Sequence, residues 1–195
     1  MYLNFDVFGI LIFCYLIGSI PFGLLISLLL KKNDPRFEGS KNIGATNIAR
    51  TSGWKLGLLT LICDTMKGYI PIFFFDNIEI SINFLIIFIF FGHLFPIWLK
   101  FKGGKGIAVL IGCLLAYNIL YGLIFVIIWL IVAIISKYSS LSALCASSAV
   151  LTIMYYEKES LTFIMFIIVI MIFAKHLSNI KRLLSGKESK IVLKK

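Results

Sequence analysis

Charged residues are scarce in this chain of 195 residues, and long stretches of it contain none. Only 14% of the residues are charged, whereas 60% are apolar. An ordinary soluble domain is about a quarter charged, so this composition excludes a soluble globular domain. Asp, Glu, Lys and Arg are absent from residues 7–30, 80–99, 106–136, 138–156 and 160–174. Because an α-helix needs about 20 apolar residues to cross a bilayer, we predict an all-α, polytopic integral membrane protein.

Cysteine is also sparse, and its spacing suits neither a disulfide framework nor a metal site. Each of the four cysteines stands alone in an apolar stretch, without a Cys-x-x-Cys pair or a histidine at ligand spacing. We therefore expect small apolar packing roles for Cys14, Cys63, Cys113 and Cys145, and neither metal nor cofactor. Residues 1–6 lack the positive charge of a secretory signal, so we expect the first apolar block to stay as a membrane helix.

The basic residues are clustered, and in a membrane protein their placement reports orientation rather than nucleic-acid binding. The 19 basic and 9 acidic residues give a formal net charge of +10. Most of the basic residues lie in three groups: Lys31, Lys32, Arg36, Lys41, Arg50 and Lys55; Lys100, Lys102 and Lys105; and Lys175, Lys181, Arg182, Lys187, Lys190, Lys194 and Lys195. The polar gaps between them hold Asp76 and Glu79, then Glu157 and Glu159. The positive-inside rule places the basic groups in the cytoplasm and the acidic gaps outside.

The apolar block at 106–136 is too long for one crossing, since 31 residues would form a helix of about 46 Å. Two crossings that turn near 117–122 keep Lys137 and the basic C-terminus in the cytoplasm. We therefore predict seven transmembrane helices, with the N-terminus outside and the C-terminus inside. They lie near 5–30, 54–75, 80–98, 105–118, 120–136, 139–156 and 160–175. We expect residues 1–182 to form a single domain and residues 183–195 a basic cytoplasmic tail that extends into solvent.

Three predicted cytoplasmic segments combine glycine, polar and basic residues, and the first covers residues 39–50. Its glycines allow backbone amides to approach a ligand closely, and its side chains supply the donors that suit a phosphate. These donors are Ser40, Asn42, Thr46, Asn47 and Arg50. The alternative interpretation is a solvated loop, because Gly and Asn are common in turns.

The second segment contains Gly-His-Leu-Phe-Pro at 92–96 and Phe-Lys-Gly-Gly-Lys-Gly at 101–106, and it leads into a helix at Ile107. Glycines before a helix N-terminus form an anion site, to which Lys105 adds a charge. Gly103, Gly104, Lys105 and Gly106 are therefore candidate phosphate ligands. The spacing is not that of a Walker A loop, so we infer no nucleotide hydrolysis. Basic residues that anchor the loop to lipid headgroups are the alternative.

The third segment is Lys-His-Leu-Ser-Asn-Ile-Lys-Arg at 175–182. If the last helix continues through it, His176 and Asn179 lie on one face, with Arg182 next along that face. An ordinary basic membrane stop is the alternative.

Further polar residues lie near these segments. Asp64 and Lys67 are spaced for an intramembrane ion pair, with a catalytic role as the alternative. Ser139 and Ser140 suit either a helix N-cap or a ligand contact.

The three segments together resemble the PlsY family of acyl-phosphate-dependent glycerol-3-phosphate acyltransferases of bacterial inner membranes. The resemblance also includes Gly-Ser-Ile-Pro at 18–21, Asp-Pro-Arg at 34–36, Asp-Thr-Met-Lys-Gly at 64–68 and Tyr-Ser-Ser-Leu at 138–141. It implies a seven-helix fold with a cytoplasmic-side site and transfer of a fatty acyl group to the 1-hydroxyl of glycerol 3-phosphate, giving lysophosphatidic acid and phosphate. The partners it implies are the two substrates and membrane lipid, with neither nucleic acid nor an obligate protein partner.

By the same resemblance, Ser40, Lys105, His176 and Asn179 are the expected catalytic residues. Glycerol 3-phosphate is expected to contact Ser40, Asn42, Thr46, Asn47, Arg50, Ser140, His176 and Asn179. Residues 103–106 are expected to hold the acyl phosphate, whose chain lies between helices.

An acyl phosphate is an activated anhydride, so the protein needs mainly to position the substrates and to stabilise an oxyanion. Amides near Gly104 and the Lys105 ammonium are candidate oxyanion donors. The proton of the attacking hydroxyl can go to His176 or to the donor phosphate, and the sequence leaves both open. No nucleophile elbow supports an acyl-enzyme at Ser40. The rival functions are a small-anion transporter, a membrane anchor for a larger complex, and a phosphatidyl-alcohol transferase, whose metal ions would need clustered carboxylates.

Overall fold

The computed structural model describes residues 5–75 and 80–191, and all regular structure within them is helical. The helices are α1 (Phe5–Ser19), α2 (Phe22–Leu29), α3 (Ala45–Ser52), α4 (Trp54–Phe75), α5 (Ile82–Leu94), a 3-10 turn (Ile97–Leu99), α6 (Ile107–Tyr117), α7 (Ile119–Ser136), α8 (Ser139–Tyr156), α9 (Thr162–Lys175) and α10 (Leu177–Leu184). The predicted all-α class is confirmed. Asp76, Glu79 and the two chain ends at 1–4 and 192–195 lie outside the described residues.

Four helical segments are long and apolar enough to cross a membrane: Trp54–Phe75, Ile82–Leu99, Ile119–Ser136 and Ser139–Tyr156. The bent pairs α1–α2 and α9–α10 raise the number of candidate spans in the described residues to six if each pair counts as one span. The one remaining predicted crossing, near 105–118, corresponds to α6, which has 11 residues and is therefore about 16 Å long. It is too short to cross the hydrocarbon core alone.

The block at 5–30 was expected to form one helix, but the chain breaks between α1 and α2 with a bend of 46°. Pro21 lies at the break, where it has no amide hydrogen to continue the helix. The carbonyl of Ile20 accepts a hydrogen bond from Lys67 Nζ at 2.6 Å. Lys67 Nζ also lies 2.8 Å from Asp64 Oδ1, so the predicted ion pair is present. Because the helix is interrupted, the Ile20 carbonyl accepts no hydrogen bond from a following turn of helix, and the Lys67 ammonium donates to it instead.

The predicted division of residues 106–136 into two helices is confirmed. Helix α6 ends at Tyr117, Asn118 is extended, and α7 begins at Ile119. The Asn118 side chain accepts a hydrogen bond from the Leu120 amide at 2.9 Å and so caps α7. At the same end of the bundle, Tyr117 donates to a carboxylate oxygen of Glu159 at 2.6 Å.

Glycines allow the closest helix contacts in the bundle. Gly112 of α6 lies against the carbonyl of Thr65 in α4, and Gly68 of α4 lies against the carbonyl of Val109. A Cβ atom at either glycine would collide with the opposing backbone. This close approach fixes α6 against α4, and the loop before α6 carries the second polar segment.

Apolar side chains occupy both the interior and the outer surface. The core includes Phe90 and Phe125, which are fully buried, while Phe74 and Ile135 are 69% and 78% exposed. A surface of this kind is stable against lipid tails rather than water.

Replacement of Gly112 by alanine is expected to destabilise the protein, because the added methyl group overlaps the Thr65 carbonyl. Overpacking of this kind costs about 1–3 kcal/mol, so the thermal unfolding midpoint in detergent should fall by roughly 3–10 °C. The matched control is Gly9→Ala, since a Cβ atom there meets nothing within 4 Å. An unchanged midpoint in Gly112→Ala would contradict the close α4–α6 contact.

Candidate active site

The three polar segments meet at one cavity of about 310 Å³. Most of the side chains predicted to form the site line it. Further polar residues also line it, of which Asp64 and Ser139 had a catalytic role or a ligand contact as one alternative and the others were not candidates. The predicted residues that line it are Ser40, Asn42, Thr46, Asn47, Arg50, Lys105, Gly106, Ser140, His176 and Asn179. The additional polar ones are Asp64, Thr65, His93, Ser139, Glu188 and Ser189.

The first segment is a turn followed by helix α3, not a loop throughout. Asn47 of α3 is buried and organises the turn. Its Nδ2 donates to the carbonyls of Pro35, Glu38 and Asn42 at 2.8–3.1 Å, and its Oδ1 accepts from the Ser40 amide at 2.8 Å. The side-chain amide of Asn47 is therefore committed to the fold of the turn that carries Ser40 and Asn42.

The second segment contributes Lys105 and Gly106 but not its two earlier glycines. The amides of Gly103 and Gly104 donate to the carbonyls of Leu94 and His93, each at 3.2 Å, and neither glycine lines the cavity. They are thus bonded to the end of α5 and not available as phosphate donors in this structure.

Gly106 begins α6 in the left-handed conformation, with φ of 85°, which suits glycine. The first amides of a helix have no partner within it. Ile107 and Ala108, which form the first turn of α6, line the cavity. The N-terminus of α6 therefore presents amides and a positive dipole end to this space.

The third segment is bent, whereas the sequence analysis considered a continuous helix. Helices α9 and α10 meet at His176 with an angle of 60°. His176 Nδ1 lies 2.8 Å from the carbonyl oxygen of Ile172. A carbonyl can only accept, so Nδ1 carries the hydrogen and Nε2 is the acceptor nitrogen of the neutral ring. The bend leaves both His176 and Asn179 on the cavity wall.

A hydrogen bond links the second and third segments directly, and Glu188, a carboxylate that the sequence analysis missed, extends this set of bonds. Lys105 Nζ donates to Asn179 Oδ1 at 2.6 Å, and Asn179 Nδ2 donates to Glu188 Oε1 at 2.7 Å. Glu188 also accepts from Ser140 Oγ at 2.9 Å and from Arg182 Nε at 2.7 Å. The sequence held one signal for Glu188, which is the only acidic residue after position 159.

The cavity has a positive electrostatic character. Burial lowers the pKa of Lys105 to about 8, with smaller contributions from Arg182 and Arg50, while Glu188 opposes the change. Burial raises the pKa of the Glu188 carboxyl, but the hydrogen bonds from Asn179, Arg182 and Ser140 outweigh it and leave that pKa lowered. Of the two carboxylates that line the cavity, Glu188 is paired with Arg182 and Asp64 with Lys67. The charges of Arg50 and Lys105 are therefore in excess and favour an anionic ligand.

The rest of the cavity wall is apolar and leads toward the lipid. It is formed by Leu61, Ile107, Ile111, Val126, Trp129, Leu130 and Ala143. A second groove of about 260 Å³ shares Leu61 and Trp129 with this wall and continues along Trp54 and Leu58. The space therefore suits a ligand with an anionic head and an apolar chain.

Serines at the start of α8 contact the site rather than cap the helix. Tyr138 occupies the N-cap position, without a side-chain capping bond. Ser139 Oγ lies 3.1 Å from Thr46 Oγ1, and Ser140 binds Glu188. Within residues 5–75 and 80–191, no three His, Cys, Asp or Glu side chains are grouped to hold a metal ion, so we assign no metal ligand.

Comparison with known proteins gives a consistent family. A family model described as glycerol-3-phosphate acyltransferase matches residues 8–186. A glycerol-3-phosphate acyltransferase of Bartonella quintana is 47% identical over 197 residues, covering 97% of this chain and 93% of that protein. A glycerol-3-phosphate acyltransferase of Wolbachia pipientis is 44% identical, covering 94% of this chain and 97% of that protein.

Solved structures share the fold. The crystal structure of PlsY, an integral membrane glycerol 3-phosphate acyltransferase, in its glycerol 3-phosphate form has a TM-score of 0.90 and 32% identity, with 96% of each chain covered. The lysophosphatidic acid form of PlsY has a TM-score of 0.87 and 32% identity, with 95% of each chain covered.

Proposed function

Since the chain belongs to the glycerol-3-phosphate acyltransferase family, we propose that it transfers a fatty acyl group from acyl phosphate to the 1-hydroxyl of glycerol 3-phosphate. The products are lysophosphatidic acid and inorganic phosphate. The observation that carries this proposal is the single cavity that joins a cationic polar end to an apolar wall. A hydrophilic acceptor and a lipidic donor can meet there.

The polar end suits glycerol 3-phosphate. Arg50 and Lys105 supply positive charge to its phosphate group. Ser40, His176 and Asn179 lie on the same wall and supply neutral hydrogen-bonding groups. Thr46, Ser140 and Asn42 complete the lining at this end, while Asn47 holds the turn that carries Ser40.

The N-terminus of α6 suits the phosphate of the acyl donor, because its free amides and dipole favour an anion. Lys105 and Gly106 lie at this helix start. Gly103 and Gly104 fix the loop before α6 by donating their amides to carbonyls at the end of α5. The acyl chain would then follow the apolar wall past Leu61 and Trp129 toward lipid.

The reaction needs little acid–base help from the protein, since phosphate is a stable leaving group. The hydroxyl oxygen attacks the acyl carbon, the bond from that carbon to the phosphate oxygen breaks, and the hydroxyl proton ends on the released phosphate. Lys105 and the first amides of α6 are the oxyanion donors that the geometry supports. The proton acceptor is either His176 Nε2, the free acceptor of that ring, or a phosphate oxygen of the donor itself.

We also propose seven membrane crossings in a bacterial inner membrane, with the N-terminus outside and the site on the cytoplasmic side. This arrangement treats each bent pair as one span and α6 as a short crossing. It keeps the basic segments inside and the Glu157–Glu159 gap outside, in agreement with the positive-inside rule.

The donor and the acceptor are tested together by incubating the purified protein with palmitoyl phosphate, with and without glycerol 3-phosphate. We expect lysophosphatidic acid and an equal amount of phosphate only when both substrates are present. Palmitoyl-CoA is the control donor and should give no product. Product from the thioester alone would retain the acyltransferase but reject the donor. Absence of product from either donor, in protein that unfolds cooperatively, would favour the transporter alternative.

Raising the pH is expected to weaken glycerol 3-phosphate binding by removing the Lys105 charge. With a pKa of about 8, the ammonium is present at lower pH and is lost as the pH rises through this value. The value of kcat/KM for glycerol 3-phosphate, which reports the free enzyme, should therefore decline above about pH 8. Lys105→Arg should move the decline to higher pH, since a guanidinium stays charged. Lys102→Ala, which removes an exposed lysine, is the control. An unshifted alkaline decline in Lys105→Arg would contradict the assignment.

The membrane orientation is tested by cysteine labelling of Lys158→Cys in spheroplasts with an impermeant maleimide. Lys158 is exposed in the turn after α8, so labelling is expected without permeabilisation. Lys187→Cys, near the opposite end of the bundle, should label only after permeabilisation. The unsubstituted chain gives the background from its native cysteines. The reverse pattern would exclude the proposed orientation.

A further inference from the structure

Residues 185–191, which we name the C-terminal strap, fold back over the site instead of extending into solvent. The turn after α10 uses Gly186 in the left-handed conformation, with φ of 68°. The Lys187 amide donates to the carbonyl of Arg182 at 2.8 Å, which completes the reversal. The tail expected for residues 183–195 is thus part of the folded body as far as residue 191.

The strap is held at both ends. Near its start, the Glu188 carboxylate accepts hydrogen bonds from Ser140, Asn179 and Arg182. At its far end, the Ile191 amide donates to the carbonyl of Lys137 at 2.7 Å. Lys137 lies between α7 and α8, so the strap runs from the end of α10 to the connection between α7 and α8.

Between these anchors the strap covers the cavity. Glu188 and Ser189 form part of the wall of the polar cavity, and Ile191 forms part of the wall of the apolar groove beside Arg50 and Trp54. The Lys190 carbonyl lies 3.5 Å from Arg50 Nη2. The strap therefore borders both the polar cavity and the apolar groove.

We propose that the C-terminal strap determines the choice of acceptor by keeping water from the activated acyl group, with the Ile191 amide as its latch. This inference rests on the proposed function. Excluding water from a reactive intermediate is a general reason for closing an active site. Ile191 acts through the position of the strap and is not a catalytic residue.

Two reactions compete for the same donor. In transfer, the hydroxyl oxygen of glycerol 3-phosphate forms the new bond to the acyl carbon, phosphate leaves, and the proton goes to phosphate. In hydrolysis, a water oxygen forms that bond instead, the same anhydride bond breaks, and the products are fatty acid and phosphate. The ratio of fatty acid to lysophosphatidic acid therefore measures how well the site excludes water.

The test compares Ile191→Pro with Ile191→Ala in the full chain. Proline has no amide hydrogen and cannot donate to Lys137, whereas alanine keeps the latch and shortens the side chain. With labelled palmitoyl phosphate and glycerol 3-phosphate, we expect the ratio of fatty acid to lysophosphatidic acid to rise about fivefold in Ile191→Pro, the population change for losing one ordinary hydrogen bond. It should stay near that of the unsubstituted protein in Lys187→Ala, whose side chain is exposed, while Ile191→Ala, which keeps the amide, measures the part of any change that comes from the shortened side chain in the groove wall.

A second variant perturbs the other end of the strap. Gly186→Val places a β-branched residue at positive φ, which strains the turn, and a Cβ atom there meets nothing within 4 Å. The same rise in the ratio is expected. This variant also gives the result if Ile191→Pro fails to fold, which the thermal unfolding midpoint detects.

Three results would overturn the proposal: an unchanged ratio in both strap variants, an equal loss of transfer and hydrolysis, or faster transfer without more hydrolysis. The last would make the strap a simple obstruction to substrate entry. Failure of the proposed function is recognised separately, because the unsubstituted protein would then make no lysophosphatidic acid from palmitoyl phosphate. If it makes that product while the strap variants keep its ratio, only the strap inference fails.

Discussion

The hydrogen bonds from Lys105 to Asn179 and from Asn179 to Glu188 are the interaction on which the site depends. They join the loop before α6, the helix after the last membrane segment and the returning strap. Ser140 adds the start of α8 to the same carboxylate. Buried polar groups are stable only when each has a partner, so this set of bonds fixes elements far apart in sequence as one polar wall. Loss of one partner would leave buried charges uncompensated, which costs more than the bond itself contributes.

Breaks in helices supply the polar surface that the bilayer otherwise forbids. A continuous transmembrane helix satisfies its own amides and carbonyls and so offers none of them to a ligand. Here the chain interrupts its helices beside the cavity, at His176 and at the glycine before α6. The interruption at Pro21 is stabilised by Lys67, whose partner Asp64 lines the cavity. The exposed backbone groups and ionisable side chains are therefore tolerated because they face protein or the cavity and not lipid.

The fold could be predicted from the sequence where the physics is local. Charge-free blocks mark apolar helices, and the length of the block at 106–136, together with the basic residues that follow it, predicts its division into α6 and α7. The positive-inside rule predicts one side of the membrane for all three polar segments, so it was predictable that they would gather at one site. Two details were not, because they depend on tertiary contacts. Gly103 and Gly104 resemble anion ligands in sequence, yet their amides bond the end of α5. Glu188 resembles one more residue of a solvated tail, and only the reversal at Gly186 carries it to Asn179.

The shortness of α6 sets the dielectric surroundings of the anion site. Helix α8 has 18 residues and α6 has 11, so α6 is shorter by about 10 Å at 1.5 Å per residue. The C-terminus of α6 lies at the same end of the bundle as the last turn of α8, since Tyr117 donates to Glu159, so α6 begins about 10 Å short of the level at which α8 begins. Its N-terminus is therefore recessed within the bundle, and the Lys105 side chain beside it is partly buried. Dissolved salt screens exposed charges over about 8–10 Å but acts far less on buried ones, so added salt should weaken the attraction of this recessed site for an anion less than it weakens that of an exposed lysine.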